Sequence, residues 1–441
     1  VLDTIKWRSN LTFNLGFRYE VNPPPTERFN RFVVFDPERV SLLRVGIDID
    51  DVYETNAANF QPRVGLAWDP FKDGRTSVRA AYAIMTEQPL TNTVLNTSTN
   101  PPFATPLGVT GSVRFDNARA LAVAGGLTPI TVDHHYENTY VQSWNLNIQR
   151  EIRRDLVFML GYFGSKGTNL RLARNINQPV NGVRPYTRLS SSSPILPGAT
   201  LANITQVEGS GISSYNALWA SANKRFASGW QLSASYTWSK SIDYNSLSTP
   251  AIIITAQDSN NLRNERGLSD FDARQRLVLY GIYQLPLKGN QWVEGWQLGM
   301  ILQMQTGNPV NIITSNSTVN GVANTLRPDV AGPVNTIGSV DRWFDTTAFV
   351  AVNRFGSLGR NVIIGPGFNN ADFSVLKDTK LSESLRLQLR MEVFDVFNHP
   401  SFGQPGRVVG TPAFGRITNT RFPTGDSGSS RQIQLAAKVM F

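Results

Sequence analysis

The chain alternates. From Asn10 to Glu20, Leu11, Phe13, Leu15, Phe17 and Tyr19 are large and apolar, while Thr12, Asn14, Gly16, Arg18 and Glu20 between them are polar or lack a side chain. A strand sends successive side chains to opposite faces, so this predicts a strand with one apolar and one polar face. The same period returns at Trp296, Leu298, Met300, Leu302 and Met304, at Leu385, Leu387, Leu389, Met391 and Val393, and at Ile433, Leu435, Ala437, Val439 and Phe441. Weaker copies run through Val64, Leu66 and Trp68, through Val78, Ala80 and Tyr82, through Trp144, Leu146 and Ile148, and through Leu232, Ala234, Tyr236 and Trp238. No amphipathic helix of comparable strength competes with them.

About twelve strands follow, near 7–20, 60–69, 76–86, 139–150, 155–164, 215–226, 230–240, 272–285, 295–305, 370–378, 384–395 and 431–441. Most are roughly 9–11 residues long, the length a tilted strand needs to cross a bilayer. Strands of soluble sandwiches average about 5–6 residues. The links alternate in length. Short ones are Pro70–Arg75, Glu151–Arg154, Ala227–Gly229, Pro286–Glu294 and Thr379–Glu383; long ones are 21–59, 87–138, 165–214, 241–271, 306–369 and 396–430. Every long link follows an odd-numbered strand. A transmembrane barrel predicts that rhythm, with short periplasmic turns and long extracellular loops, and a sandwich gives no reason for it.

The expectation is an all-β fold, an antiparallel transmembrane β-barrel. In the bilayer core a sheet satisfies its backbone only by closing on itself, with apolar residues outward and polar ones free to face inward. Trp68, Tyr236, Trp238 and Trp296 fall near strand ends, where aromatic girdles sit. The lumen-facing set is then Arg18, Glu20, Arg63, Arg79, Arg386, Arg390, Glu392 and Lys438. Such charges either pair across strands to hold the wall's shape or meet a plug or a passing substrate.

Composition narrows the classes. The 441 residues contain no cysteine, which excludes a disulfide scaffold and thiol chemistry. The net charge is +9, but Lys and Arg are scattered, and the densest cluster is Arg150-Glu151-Ile152-Arg153-Arg154. A nucleic-acid binder would gather them into a stripe, so no nucleic-acid partner is expected. No apolar run approaches a membrane helix. Val1 to Trp7 has neither the basic start nor the apolar run of an export signal, and the chain does not begin with Met. An exported barrel without a signal is expected to be part of a longer polypeptide.

Chemistry is sparse. Gly425-Asp426-Ser427-Gly428 looks like a nucleophile turn, but only three His exist and none is spaced to complete a triad. Asp133-His134-His135-Tyr136-Glu137 offers metal-binding types, yet adjacent His on a strand point opposite ways. His399 sits in an Asn398-His399-Pro400 turn, and Gly365-Pro366-Gly367 lacks the wider glycine pattern of a phosphate loop. No catalytic residue, metal or cofactor is expected.

An ordered series of short stretches runs through the chain: Leu11-Thr12-Phe13-Asn14-Leu15-Gly16-Phe17-Arg18-Tyr19-Glu20, Phe60-Gln61-Pro62-Arg63-Val64-Gly65, Gly161-Tyr162-Phe163-Gly164-Ser165-Lys166-Gly167, Ala234-Ser235-Tyr236-Thr237-Trp238-Ser239-Lys240-Ser241-Ile242-Asp243, Ser269-Asp270-Phe271-Asp272, Thr306-Gly307-Asn308-Pro309, Gly365-Pro366-Gly367 and Arg390-Met391-Glu392-Val393-Phe394-Asp395. This series resembles the barrel of TonB-dependent receptors of the Oar-like group, whose parent proteins carry a carboxypeptidase-regulatory-like domain and a plug. The resemblance implies that residues 1–441 are the C-terminal part of a barrel of roughly 22 strands around a plugged lumen. It also implies uptake of an unidentified ligand, with energy entering through a TonB-type partner that contacts the plug. Neither the plug nor the N-terminal domain has a counterpart here. Other implied partners are outer-membrane lipid, lipopolysaccharide and the barrel assembly machinery, for which the terminal Phe441 resembles the signal. Two rival readings remain: a plug-less twelve-stranded porin or anchor, and a soluble or surface β-rich binding module.

Overall fold

The computed structural model describes residues 1–105, 114, 116–117, 121, 126–246, 251–316, 318–421 and 430–441. Among these described residues thirteen long strands pair in chain order into one sheet. They are β1 Leu2–Arg8, β2 Leu11–Tyr19, β3 Phe60–Trp68, β4 Thr76–Thr86, β5 Tyr140–Arg153, β6 Leu156–Asn175, β7 Thr205–Ala227, β8 Trp230–Asp243, β9 Gln275–Gln284, β10 Trp296–Gln305, β11 Phe368–Lys380, β12 Arg386–Phe394 and β13 Gln432–Met440. Every neighbouring pair is antiparallel. The sheet stays open: β1 and β13 are its two edges and do not pair with each other.

The first expected strand is in fact two. Leu2–Arg8 folds back on Leu11–Tyr19, with Ile5 opposite Phe13 and Thr4 opposite Asn14. Asp3 falls on the apolar face, opposite Leu15, and that one charge hid the alternation. The count of twelve becomes thirteen, and each long link now follows an even-numbered strand. The count also changes the topology. In an antiparallel meander the first and thirteenth strands run parallel, whereas a first and twelfth would run antiparallel.

The expected loop 165–214 is also partly strand. β6 extends to Asn175 and β7 begins at Thr205, with register shifts between Gly209 and Gly211 and between Gly211 and Ser213. The Ser, Thr and Gly run there reads as loop, but the ladder continues through it and the bulges take up the twist.

Register confirms the two faces. One apolar row runs Leu232, Gly281, Met300, Phe373, Val393, Ile433 from β8 to β13. Among the described residues nothing covers the apolar face: Leu435 is 76% exposed and Trp238 53%. Trp230 and Trp238 lie eight residues apart on this face, roughly 26 Å along the strand at about 3.3 Å per residue. At the short-turn rim, three cations sit on the apolar face, each against an aromatic ring. Arg150 lies 5.2 Å from the Phe71 ring, Lys224 4.2 Å from Trp230 and Lys377 5.8 Å from Trp296. The Lys224 ammonium also donates to the carbonyls of Ala227 (2.8 Å) and Trp230 (3.1 Å) and pairs with Asp155 at 3.0 Å.

The buried core lies in the long loops and not between the sheet's faces. One cluster joins Phe32, Val34, Val52, Tyr53, Val132 and Tyr136; a second joins Val33, Phe35, Leu42, Leu189, Leu201 and Ile204; a third joins Val310, Ile312, Phe344, Phe349, Leu358 and Ile363. A folded cap therefore stands on one rim of the wall. Among the described residues no helix is long and apolar enough to cross a membrane, which says nothing about strands.

Candidate functional site: the polar face and the loop cap

The ladder puts Arg18, Arg63, Arg79, Arg386, Arg390, Glu392 and Lys438 on one face, opposite the apolar rows. Arg18 faces Gln61, Arg63 faces Ala83, Arg79 faces Asn147, Glu392 faces Gln434 and Lys438 faces Gln388. Glu20 lies one residue past β2. The ion pairs run along strands and not across them: Arg18 with Glu20 at 2.5 Å, and Arg390 with Glu392 at 3.6 Å. Amides carry the cross-strand links. Gln61 donates to Glu20 at 2.7 Å, and Gln388 donates to Asp378 at 3.0 Å. The charges do not converge on one point. They spread around the wall from β2 to β13, so this face is a polar lining without a focused site. Phe441 lies beyond β13, fully exposed.

The motif stretches gather elsewhere, at the roots of the long loops. Asp272 accepts from the Ser241 backbone N–H at 2.6 Å, and the Ser241 and Ser269 hydroxyls are 2.7 Å apart. Asn308 donates to the Asp272 carbonyl at 3.0 Å, and the Gly365 N–H donates to the Asn308 carbonyl at 2.9 Å. A Cβ on Gly307 would stand 1.8 Å from the Gly365 carbonyl oxygen, so two glycine-bearing motifs meet by backbone contact that no side chain fits. Gly365-Pro366-Gly367 is thus a packing element at the foot of the cap.

Above these roots lies a buried ionic knot. Arg327 and Glu265 pair at 2.7 Å with both side chains 2% exposed. Arg327 also donates to the carbonyls of Leu358 (2.8 Å) and Asn264 (3.1 Å), so each of its three guanidinium nitrogens has an acceptor. Arg360 binds Asp243 at the head of β8 and donates to the Glu265 carbonyl at 2.9 Å. Burying such charges is tolerable only when each is paired and hydrogen-bonded, as here. Sequence reading missed this site: its members lie up to 117 residues apart and belong to no periodic pattern.

Asp133 to Glu137 is a turn and not a strand, so the two imidazoles do reach one group. His135 Nδ1 lies 3.0 Å from Glu54 Oε2, and His134 Nε2 lies 3.7 Å from Glu54 Oε1. The Glu54 hydrogen bond raises the His135 pKa, and the same bond lowers that of Glu54. Among the described residues no three or more His, Asp or Glu side chains gather as a metal would need. Burial pushes Tyr136 up to about 12. The backbone N–H of His399 donates to Asp395 at 3.2 Å within a turn. Gly425-Asp426-Ser427-Gly428 lies outside the described residues.

The molecule is thus a two-faced sheet with a folded cap on one rim. The model of the outer membrane beta barrel domain matches residues 1–434. The chain belongs to that family. Its place is the outer membrane, and the apolar face is the surface it turns to lipid. The outer membrane transporter YddB of Escherichia coli is similar in fold, with a TM-score of 0.53 at 11% identity. That match covers 100% of this chain and 44% of YddB. The ferripyoverdine receptor FpvA of Pseudomonas aeruginosa aligns at 13% identity and TM-score 0.49, over 100% of this chain and 37% of FpvA. The FrpB iron transporter of Neisseria meningitidis aligns at 12% and 0.47, over 98% and 44%. The chain spans less than half the length of these structures. No curated protein matches it at the level of sequence.

Proposed function

We propose that the chain is part of the wall, together with the outer cap, of an energy-coupled receptor that takes up a ligand across the outer membrane. The observation that carries this reading is the odd strand count. The two free edges run parallel, so they cannot close on each other as an antiparallel barrel. Bacterial barrels hold even numbers of strands. Closure then takes an odd number of further strands, and nine would make the roughly 22 of a plugged transporter. The same parity weighs against the self-sufficient twelve-stranded porin. The unpartnered apolar face, from Trp7 to Val439, weighs against a soluble module.

In this reading the short turns are periplasmic and the cap faces outward. The cap captures ligand, the arginine-lined polar face is the lumen wall, and a plug pulled by a TonB-type partner opens the path. Residues 1–441 form one barrel domain of the Oar-like kind, and Phe441 is its assembly signal. Two measurements test it. On a gel of native outer membranes probed for Ser384–Asp395, a heat-shifting band far above 48.8 kDa supports it, and one near 48.8 kDa opposes it. In a planar bilayer, a stable open pore from the 441-residue chain alone would favour the porin.

A further inference from the structure

Three loops enclose a cleft of about 700 Å³ in the cap. One wall is the tip of the β6–β7 loop, where Val180 and Val183 bridge across Asn181 (φ 52°) and Gly182 (φ 80°). The second is Asp258–Asn260 of the β8–β9 loop. The third comes from the β10–β11 loop at Thr318, Val319 and Asn353–Phe355. The size falls within the roughly 300–1,000 Å³ of small-molecule sites. We propose that this cleft captures a neutral oligosaccharide. The proposal rests on the receptor reading for its direction of access, and on the cleft's own chemistry for its ligand.

Charge comes first. Among the described residues that line the cleft, only Asp258 and Arg354 are charged, and Arg354 is clamped to both carboxylate oxygens of Asp329. An anionic chelate would find no free cation there to replace its water. What remains is the amides of Asn181 and Asn260, which both donate and accept as sugar hydroxyls do, with the Asn353 amide N–H and the Thr318 lone pairs beside them, since Asn353 Oδ1 already accepts from Asn316 and Thr318. Phe355 and Pro179 add flat apolar surface for the C–H faces of sugar rings.

Rigidity comes second. A set of buried amides, of which Gln178 lines the cleft, ties the loops together before any ligand arrives. Gln178 donates to Asp258 at 2.9 Å and accepts from the Ser259 N–H at 2.8 Å. Asn320 donates to the Gln257 carbonyl at 2.9 Å, and Gln257 accepts from the Arg327 N–H at 2.7 Å. Asn175, at the end of β6, donates to the Asn320 carbonyl at 3.2 Å. A cleft fixed in this way loses little entropy on binding, which matters for a ligand that gains mainly hydrogen bonds.

The test is titration calorimetry in detergent micelles on the whole receptor that carries this chain. The neutral probes are maltohexaose, cellohexaose and xylohexaose; hexagalacturonate is the anionic control and a neutral hexapeptide the other. The expected result is that one neutral hexasaccharide binds at least tenfold more tightly than both controls. Raising the salt tenfold should change that affinity less than twofold. Phe355→Ala with Asn260→Ala should weaken it at least tenfold, with the heat shift on gels unchanged. The proposal is overturned if hexagalacturonate or the peptide binds best, if none of the neutral probes binds, or if the double variant binds as before. The receptor reading fails separately, by loss of the heat-shifting membrane band, whatever the sugars do.

Discussion

The wall and the cap solve opposite problems with the same alphabet. In the wall, apolar side chains point away from the protein: Ile433 is 64% exposed and Leu435 76%. In the cap they point at each other: Val33, Leu42, Ile204 and Phe344 have no exposure. The wall keeps its large apolar residues for its solvent, which is hydrocarbon. The cap keeps them for a core, because its solvent is water. The difference shows why burial alone misleads in such a chain. A search for buried hydrophobics finds the loops and misses the membrane span.

The largest expected break comes at the ionic knot. Arg327→Met leaves the buried Glu265 carboxylate with the Gln257 N–H as a donor but no opposite charge, a loss of about 3–5 kcal/mol. Hydrogen exchange should then rise through residues 251–330 while the heat shift of the wall survives. Loss of both would mean that wall and cap fold as one unit. On the wall, Leu302→Arg places a charge on the apolar face midway between the Trp230 and Trp238 levels, one row with Ala234, Leu279 and Ala371. In a bilayer it should cost about 2–4 kcal/mol in folding into vesicles and leave exchange in the cap untouched. Arg390→Gln removes a half-exposed same-strand pair and should change vesicle folding by less than about 1 kcal/mol.

The smallest effect is a pH response confined to the cap. His135 is raised, so its contribution is full below its ordinary value of 6.5 and fades as pH climbs through the raised value. Glu54 is lowered, so its contribution is full above 4.5 and fades as pH drops through the lowered value. The contact between the β2–β3 and β4–β5 loops should hold best between about pH 4.5 and 6.5. Cleavage of the chain near Glu54 by limited proteolysis should be slowest there, and a flat profile would remove the pair from any role.

Much of the wall was legible because a strand's faces repeat every two residues, and Leu11 to Tyr19 or Leu387 to Val393 state both faces in a single line. β1 was not, because Asp3 interrupts its apolar side. The outer reaches of β6 and β7 were not, because beyond the bilayer no pattern demands that Ser165 or Gly211 differ from loop residues. The charges Arg18 to Lys438 could be assigned to a face by counting, but their bonding partners could not. The knot of Glu265, Arg327 and Arg360 was hidden entirely, since pairing across loops depends on three-dimensional closure that leaves no period behind. The motif stretches were visible as motifs, yet their role at the loop roots rests on backbone contacts such as Gly307 against Gly365.

The three cations stacked on Phe71, Trp230 and Trp296 bear on how the wall rides in its membrane. Each carries an aliphatic stem along the apolar face and ends at the turns, so stem and charge want different media. Sliding the wall one way drags charge into hydrocarbon, and sliding it the other lifts indole and phenyl rings into water. Those opposed penalties give the protein a waterline on this rim. Where the host membrane is thicker or thinner than the wall, the lipids beside Lys224 and Lys377 must stretch or compress to meet it, because the strands will not move to meet them.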